Sequence, residues 1–477
     1  MVKQNHRWER YKKSMKESIR GMLKARSGFG KSVTGLLRIS LERGRHLPGI
    51  GSSAARWAGF VHAMQGNHQQ AVELYRIATR KGMSKSASLQ YDMGMSLLKL
   101  HLPKEAEIHF RTAMQIDPIA IWPVTGLIQA LQDQGLSHLA IPELLRVSKH
   151  LPLKQLHTLP FPGHMAQLLA DKPEQIEQLA ALVAKHPEAY YATLLLGQVE
   201  TVRGNSASAS SHFRAAGNMR FAGLQDPSAP VAKPKFFILG QAKAGTSALF
   251  QYLSNHPAMV APMIKEPQFF SLYHHYGSEW YESLFPRFAP SSGLFTGEGS
   301  VTYLRNRRAP ERIAGEIPDA RLIVILRNPV SRAYSEYWMH RRLGRSLPSF
   351  EEAVGMELEN WSACPVDEED AGDGPRPFGY LSRSIALPAI RRWLKHFPPE
   401  QLLVLRNDQM ASDLRGTLRR VCRFVGVPDF QPGRPDRHNE GRYPPLPDPL
   451  RQRLEAWFQP HQIALEEFLK TLPEYQV

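Results

Sequence analysis

The sequence predicts an α/β domain built on a parallel sheet with a phosphate-binding loop, preceded by an all-α array of helical repeats. Three observations predict it. An apolar run, Phe236 to Leu239, breaks at Gly240 into a loop ending Gly245-Thr246-Ser247, where an amphipathic segment begins. A second junction of the same kind lies at Arg321 to Leu343, RLIVILRNPVSRAYSEYWMHRRL. Upstream, small and aromatic residues recur at fixed spacing across residues 52 to 217.

The first element is a basic segment, 1–50. The net charge of +16 is uneven: up to Leu47 there are 13 Lys or Arg against three acids, Glu9, Glu17 and Glu42, a net +10. Trp8, Tyr11, Met15, Ile19 and Met22 recur there at helical spacing. The segment reads equally as an amphipathic helix able to lie on an anionic membrane surface and as a solvated tail. Its SGFGKS, Ser27 to Ser32, fails as a phosphate loop because Ala25 stands where the first glycine belongs.

Residues 51–217 follow as the repeat array. Gly59, Ala71, Tyr75 and Ala78 reappear as Gly94, Ala106, Phe110 and Ala113, and again as Gly197, Ala209, Phe213 and Ala216. Ala140, Leu144, Val147 and Pro152 carry half of another unit, and a degenerate one ends at Pro187. Small residues let paired helices approach, the aromatic fills the groove and proline ends the second helix, a pattern that resembles the tetratricopeptide repeat. Such arrays bind protein partners or extend a neighbouring domain. Periodicity then fades through GNMRFAGLQDPSAPVAKPK, which predicts a linker at 218–233 and a second domain over 234–477.

In that domain KFFILGQAKAGTS reads as strand, loop and helix. The first N–H groups of a helix have no intrahelical partner and the helix dipole is positive there, so a phosphate is the expected guest. Thr246 and Ser247 add hydroxyl donors. The lysine that follows the second glycine of the G-x-x-x-x-G-K-[ST] pattern is absent, and Lys243 sits inside the loop instead. At the second junction Arg327 ends a strand, Pro329 suits a first helical turn, and Ser335 lies eight residues after the arginine. A guanidinium fork and a hydroxyl at that spacing suit a second phosphate.

With two anion sites in place, the domain resembles the sulfotransferases that use 3′-phosphoadenosine 5′-phosphosulfate (PAPS), and most of all the branch containing the heparan sulfate sulfotransferases. The resemblance runs from about Pro234 to Leu469 through six stations in order: KFFILGQAKAGTS, HPAMVAPMIKEPQFF, YGSEWYESLFP, FTGEGSVTYL, LRNPVSRAYSEY and NEGRYPPLPDPLRQRLEAWFQPHQIALEEFL. It implies that Lys243 contacts the phosphosulfate and neutralises the departing phosphate, and that Ala244, Gly245, Thr246 and Ser247 form the cradle. Arg327 and Ser335 match the ligands of the 3′-phosphate. Gly441 and Arg442 match a late Gly-Arg loop that closes over the nucleotide, although Glu440 replaces its usual lysine. Glu266 falls at the proposed general base, and Gly299 falls where heparan-type enzymes often carry a second catalytic lysine.

The expected activity is therefore sulfuryl transfer from PAPS to a hydroxyl or amine, with a carbohydrate as the favoured acceptor and without a metal. His274 or His275 is the alternative base, and His274, Arg305 and Arg341 are candidate substrate contacts. The rival readings are a nucleoside or small-molecule kinase, disfavoured by the missing Lys-[ST] pair after Gly245, and a non-catalytic repeat scaffold. Only Cys364 and Cys422 are present, without metal-ligand spacing. No apolar run reaches the ~18 residues of a membrane span and no signal-peptide core is evident, so the expected location is the cytoplasm, with peripheral membrane contact through the basic segment. No nucleic-acid partner is expected.

Overall fold

The computed structural model of the chain describes residues 52–118, 122–136, 139, 142–143, 162–342, 347–361, 379–431 and 443–473. The basic segment 1–50, the half-repeat at Ala140 to Pro152 and Cys364 lie outside the described residues. The chain divides into two compact units between residues 119 and 120.

The first unit holds helices α1 (Ser52–Met64), α2 (His68–Ala78), α3 (Ala87–Lys99) and α4 (Pro103–Ile116). They pair as the spacing predicts. A Cβ added at Gly59 would lie 2.6 Å from the Tyr75 ring, and one at Gly94 would lie 2.7 Å from Phe110. Each glycine thus lets its helix rest directly on the fully buried aromatic of the next.

The second unit opens with α5 (Trp122–Asp133), α6 (Pro162–Leu169), α7 (Pro173–Lys185), α8 (Tyr190–Val202) and α9 (Ser206–Arg220). Gly197 on α8 meets Phe213 on α9 by the same 2.6 Å approach. Unlike an ordinary solenoid helix with one wet face, α8 is buried from Tyr190 through Thr201. Its neighbours α6, α7 and α9 cover most of it, and the following domain covers Tyr190, Leu194 and Thr201. The Tyr276 hydroxyl donates to the Thr201 carbonyl at 2.8 Å, the Trp280 indole N–H donates to Thr201 Oγ1 at 3.1 Å, and Phe213 meets Trp280 edge to face. Arg214 pairs with Glu279 across the same seam. Within 218–233, which the sequence reads as a linker, Phe221 is buried and the Ala232 N–H donates to the Pro286 carbonyl at 2.9 Å.

The α/β domain is organised on three parallel strands in the order β1 (Phe236–Gly240), β2 (Arg321–Leu326), β3 (Leu402–Arg406). Two further segments extend the ladder beyond β1. The Glu298 N–H donates to the Phe236 carbonyl and the Ile238 N–H to the Glu298 carbonyl; Met259 in turn bridges to Phe295 in parallel. The strands alternate strictly. Phe236, Ile238, Ile323, Ile325, Leu403 and Leu405 face one core with α10 (Thr246–Leu253) and α17 (Leu414–Val425). Phe237, Leu239, Leu322, Val324, Leu402 and Val404 face the other, which also takes in Ala209, Phe213 and Ala216 of the last repeat. A sheet covered on both faces explains why its strands read as continuous apolar runs.

The remaining helices are α11 (Ser278–Glu282), α12 (Ala309–Glu316), α13 (Pro329–Arg342), α14 (Phe350–Glu359), α15 (Leu387–Trp393), α16 (Asn407–Ser412) and α18 (Asp448–Leu469). α14 starts with a capping box, Ser349 and Glu352 each satisfying the other's backbone N–H. Tyr334 and Tyr337 of α13 pack with Phe350, Leu450 and Leu454 in a third core.

Candidate functional site

The phosphate loop and Arg327 follow the carboxyl ends of the parallel strands β1 and β2, the edge at which open α/β sheets bind ligands, whereas the base candidate His274 pairs with Glu316, which precedes β2. The loop after β1 turns twice through left-handed backbone, at Lys243 (φ 69°) and Gly245 (φ 98°). Gly245 is required there: a Cβ would sit 2.7 Å from Met410 Cε and 2.9 Å from Asn407 Nδ2. Thr246, 4% exposed, begins α10, so the N–H groups of Thr246 and Ser247 have no intrahelical acceptor.

Three successive loop carbonyls are held by side chains that follow the other two strands, Arg327 just after β2, Arg332 on α13 and Asn407 at the start of α16. Arg332 Nη1 donates to Ala242 at 3.4 Å, Arg327 Nη1 to Lys243 at 2.8 Å, and Asn407 Nδ2 to Ala244 at 2.9 Å. Gln241 Nε2 donates to the Ser384 carbonyl at 3.2 Å, binding the loop to residues 379–384. With its carbonyls engaged from behind, the loop has a fixed shape before any anion arrives, which favours strong electrostatic stabilisation.

Arg332 and Asn407 escaped the sequence reading. Arg332 is 1% exposed and donates to Ser384 Oγ, the Tyr380 carbonyl and Glu336. Burial alone would raise Glu336, but the Arg332 and Arg383 guanidiniums hold it down to about 2. Asn407 stands at the end of β3, and that strand-end position is its only signal in the sequence.

Arg327, the first residue after β2, borders a cavity of about 350 Å³ lined also by Asn328, Ser331, Tyr334, Tyr443 and Arg451. Ser335 lies two turns into α13 and is buried. Gly441 and Arg442 lie outside the described residues.

Glu266 is half-buried, and its Oε1 is ion-paired with Lys265 Nζ. Close by is Glu298, fully buried, which accepts from Tyr281 at 2.5 Å and Ser300 at 2.7 Å. Burial pushes the Glu298 carboxyl up to about 7; its hydrogen bonds work against that shift, and the charge of Glu266 adds to it. Ser300 Oγ also accepts from the Gln268 N–H at 3.1 Å, linking Glu298 to the turn after Glu266. The only sequence signal for Glu298 is an acid between two glycines at the end of an apolar pair.

His274 turns to Glu316 on α12, 3.2 Å from its carboxylate, and packs against Phe269. Arg305 Nη1 donates to the Ser382 carbonyl at 2.6 Å. Arg341 donates to the Tyr337 hydroxyl at 3.0 Å and lies over the Tyr337 and Trp338 rings.

Comparison with known proteins gives two family matches: a sulfotransferase domain over residues 233–440 and a tetratricopeptide repeat over residues 176–218. The chain is 34% identical over 194 residues to heparan sulfate glucosamine 3-O-sulfotransferase 3B1 of Mus musculus, covering 41% of this chain and 46% of that protein. It is 31% identical over 270 residues to heparan sulfate glucosamine 3-O-sulfotransferase 6 of Mus musculus, covering 50% and 74%. With bifunctional heparan sulfate N-deacetylase/N-sulfotransferase 4 of Mus musculus it shares 29% over 273 residues, covering 50% and 30%. The chain spans about half the length of the first curated relatives it matches. Among solved structures, a sulfotransferase from Alicyclobacillus acidocaldarius is 32% identical, with 50% of this chain and 97% of that chain covered and a TM-score of 0.42.

Proposed function

This chain belongs to the sulfotransferase family, and on that footing we propose that it moves a sulfuryl group from PAPS to a hydroxyl or amine of a carbohydrate. The observation that carries the reading is the hydrogen bond from Arg327 to the Lys243 carbonyl, which joins the loops after β1 and β2 at one sheet edge. Similarity to proteins named as heparan sulfate 3-O-sulfotransferases and N-sulfotransferases supports a sugar acceptor and leaves both oxygen and nitrogen as nucleophile.

The residues fit a nucleotide with phosphates at both ends. Gly245 keeps the loop free of a Cβ, the first amides of α10 lack internal acceptors, and Arg327 borders the adjoining cavity. When bound, the donor supplies an activated sulfuryl group whose phosphate leaves with negative charge. Lys243 offsets that charge, and the amides and hydroxyls of Thr246 and Ser247 donate to the same oxygens. Arg327 and Ser335 hold the 3′-phosphate. Glu266 takes the proton from the acceptor, a step typically worth ~10² to 10⁴ in rate. Sulfuryl transfer, like phosphoryl transfer, gains mainly from positioning and electrostatics, and lysine, arginine and amides supply both in this scheme.

Titration calorimetry with adenosine 3′,5′-bisphosphate and with ATP tests the reading. The bisphosphate should bind at least about tenfold more tightly, a difference of about 1.4 kcal/mol. Equal affinities would overturn it in favour of a kinase. The same proposal keeps the cytoplasm as location, residues 1–50 as a peripheral membrane contact, and the repeats as a surface for a protein partner; flotation with anionic vesicles tests the membrane contact.

A further inference from the structure

β2 and β3 pair in register up to Leu326 and Arg406, so Arg327 and Asn407, the next residue of each, stand abreast beyond the sheet. Each grips the loop after β1. Arg327 Nη1 donates to the Lys243 carbonyl, and Asn407 Nδ2 donates to the carbonyl of the following residue, Ala244, at 2.9 Å. The two grips have different consequences, because in a trans peptide the C=O and the next N–H point in opposite directions. Opposite the Lys243 carbonyl is the Ala244 N–H, which is spent inside the loop on the Gln241 carbonyl at 3.1 Å. Opposite the Ala244 carbonyl is the Gly245 N–H, which meets no acceptor among the described residues. Drawing the Ala244 carbonyl toward Asn407 therefore turns the Gly245 N–H away from it. A Cβ at Gly245 would run into Asn407 Nδ2 at 2.9 Å and Met410 Cε at 2.7 Å, so α16 fills this flank of the loop and a ligand approaches from the other.

We propose that Asn407 is a positioning residue for the 5′-phosphate of the donor: by holding the Ala244 carbonyl it aims the Gly245 N–H, with those of Thr246 and Ser247, at the phosphate oxygens on which charge collects as the sulfuryl group departs. The proposal rests on PAPS as the donor and adds a division of labour between neighbouring strand ends. Arg327 both holds the loop and borders the cavity assigned to the 3′-phosphate. Asn407 carries no charge and lies outside the lining of that cavity, so its effect on the nucleotide passes only through the loop. Its own place is fixed from behind. Arg406, the residue before it, donates to both carboxylate oxygens of Glu466 on α18, at 2.8 and 2.6 Å.

Calorimetry on the full chain with adenosine 3′,5′-bisphosphate, adenosine 3′-monophosphate and adenosine 5′-monophosphate reads the two ends of the nucleotide separately. Preference for the bisphosphate over the 3′-monophosphate measures the grip on the 5′-phosphate; preference over the 5′-monophosphate measures the grip on the 3′-phosphate. Asn407→Leu, similar in volume and without a donor, should cut the first preference by about tenfold or more, the value of a hydrogen bond to a charged group. The second preference should stay within about twofold of wild type. Asn407→Ala should show the same pattern, and it is read in place of the leucine variant if that one does not fold. A merely structural role would weaken all three nucleotides in proportion and leave both preferences as in wild type. That result overturns the proposal, as does a loss confined to the 3′-phosphate preference. Failure of the underlying reading looks different: a wild-type chain that binds the bisphosphate no better than ATP has no PAPS site for Asn407 to serve.

Discussion

Arg327 Nη1 donates to the backbone carbonyl of Lys243 at 2.8 Å. One guanidinium therefore shapes the first anion loop while bordering the cavity assigned to the second. This contact ties together the loops that follow β1 and β2, whose parallel pairing shifts register between Ile238 and Gly240, and in the proposed reading it sets the distance between the nucleotide's phosphates.

Arg327→Ala should consequently do more than delete one phosphate contact. We expect adenosine 3′,5′-bisphosphate to bind about 10- to 100-fold more weakly, the value of one or two charge-assisted hydrogen bonds. The preference over the 5′-monophosphate should vanish. Arg327→Lys should keep part of the affinity, because a point charge replaces the fork without reaching both partners. Calorimetry with the two nucleotides reads both effects, and an unchanged preference in Arg327→Ala would remove the arginine from the 3′-phosphate site.

A second consequence concerns the support behind the loop. Arg332 is buried with Glu336 at 2.7 Å, and removing one charge leaves the other buried and unpaired, at a cost of about 3–5 kcal/mol. Glu336→Gln should lower stability to urea by that order. Because Glu336 is held down to about 2, the stability it contributes is complete above the ordinary carboxylate range near ~4.3 and is lost as pH falls toward 2. Wild type should thus lose stability between pH 4 and 2 more steeply than the variant.

Glu298 predicts the opposite slope. Its carboxyl is raised to about 7 by burial, so the fold favours the protonated form. The contribution is complete below about 4.3, declines as pH rises, and is gone above about 7. Glu298→Gln does not titrate, so the stability of wild type relative to the variant should fall between pH 5 and pH 8 in urea melts. Parallel curves across that window would show that Glu298 stays charged in the fold.

The contrast between these buried groups and the loop residues explains what could be read in the sequence. The strands at 236–240, 321–326 and 402–406 are apolar runs ending at polar turns, and the glycine–aromatic pairs of the repeats lie 16 residues apart in each copy, so both are local signals. Lys243, Gly245 and Arg327 stand at strand ends, where chemistry is expected. Arg332 gave no such sign: in VSRAYSEY it reads as a solvated helical charge, and only the return of residues 380–384 beneath α13 buries it. The contact of Tyr276 and Trp280 with Thr201 spans about 75 residues and likewise leaves no periodic mark.

That docking decides what a truncation should do. A chain beginning at Ser228 would keep every loop of the site but lose Phe213, Phe221 and Tyr190, which share a core with β1 and β2. Trp280 and Tyr276 would also lose their acceptors on α8. We expect a lowered melting temperature and aggregation through the exposed aromatic face, whereas a chain beginning near Lys172 should stay soluble and bind the bisphosphate. Full bisphosphate affinity and an unchanged melting temperature in the shorter chain would make the last repeat pair dispensable to the α/β domain.

The assignment of separate steps to Lys243 and Glu266 gives the most discriminating pair of variants. Lys243 lies in the loop itself, and in the proposed mechanism its ammonium acts on the bound nucleotide both before and during transfer; Lys243→Ala should weaken bisphosphate binding and slow turnover together. Glu266 lies on the neighbouring segment, ion-paired to Lys265 and away from the loop's own hydrogen bonds. Glu266→Gln preserves its shape and removes its proton affinity, so nucleotide affinity should barely move while turnover falls by roughly two to four orders of magnitude. His274, engaged with Glu316, supplies the control: His274→Gln should leave turnover within a few-fold of wild type if Glu266 is the base. A fast Glu266→Gln enzyme together with a slow His274→Gln enzyme would move the proton acceptor to the histidine.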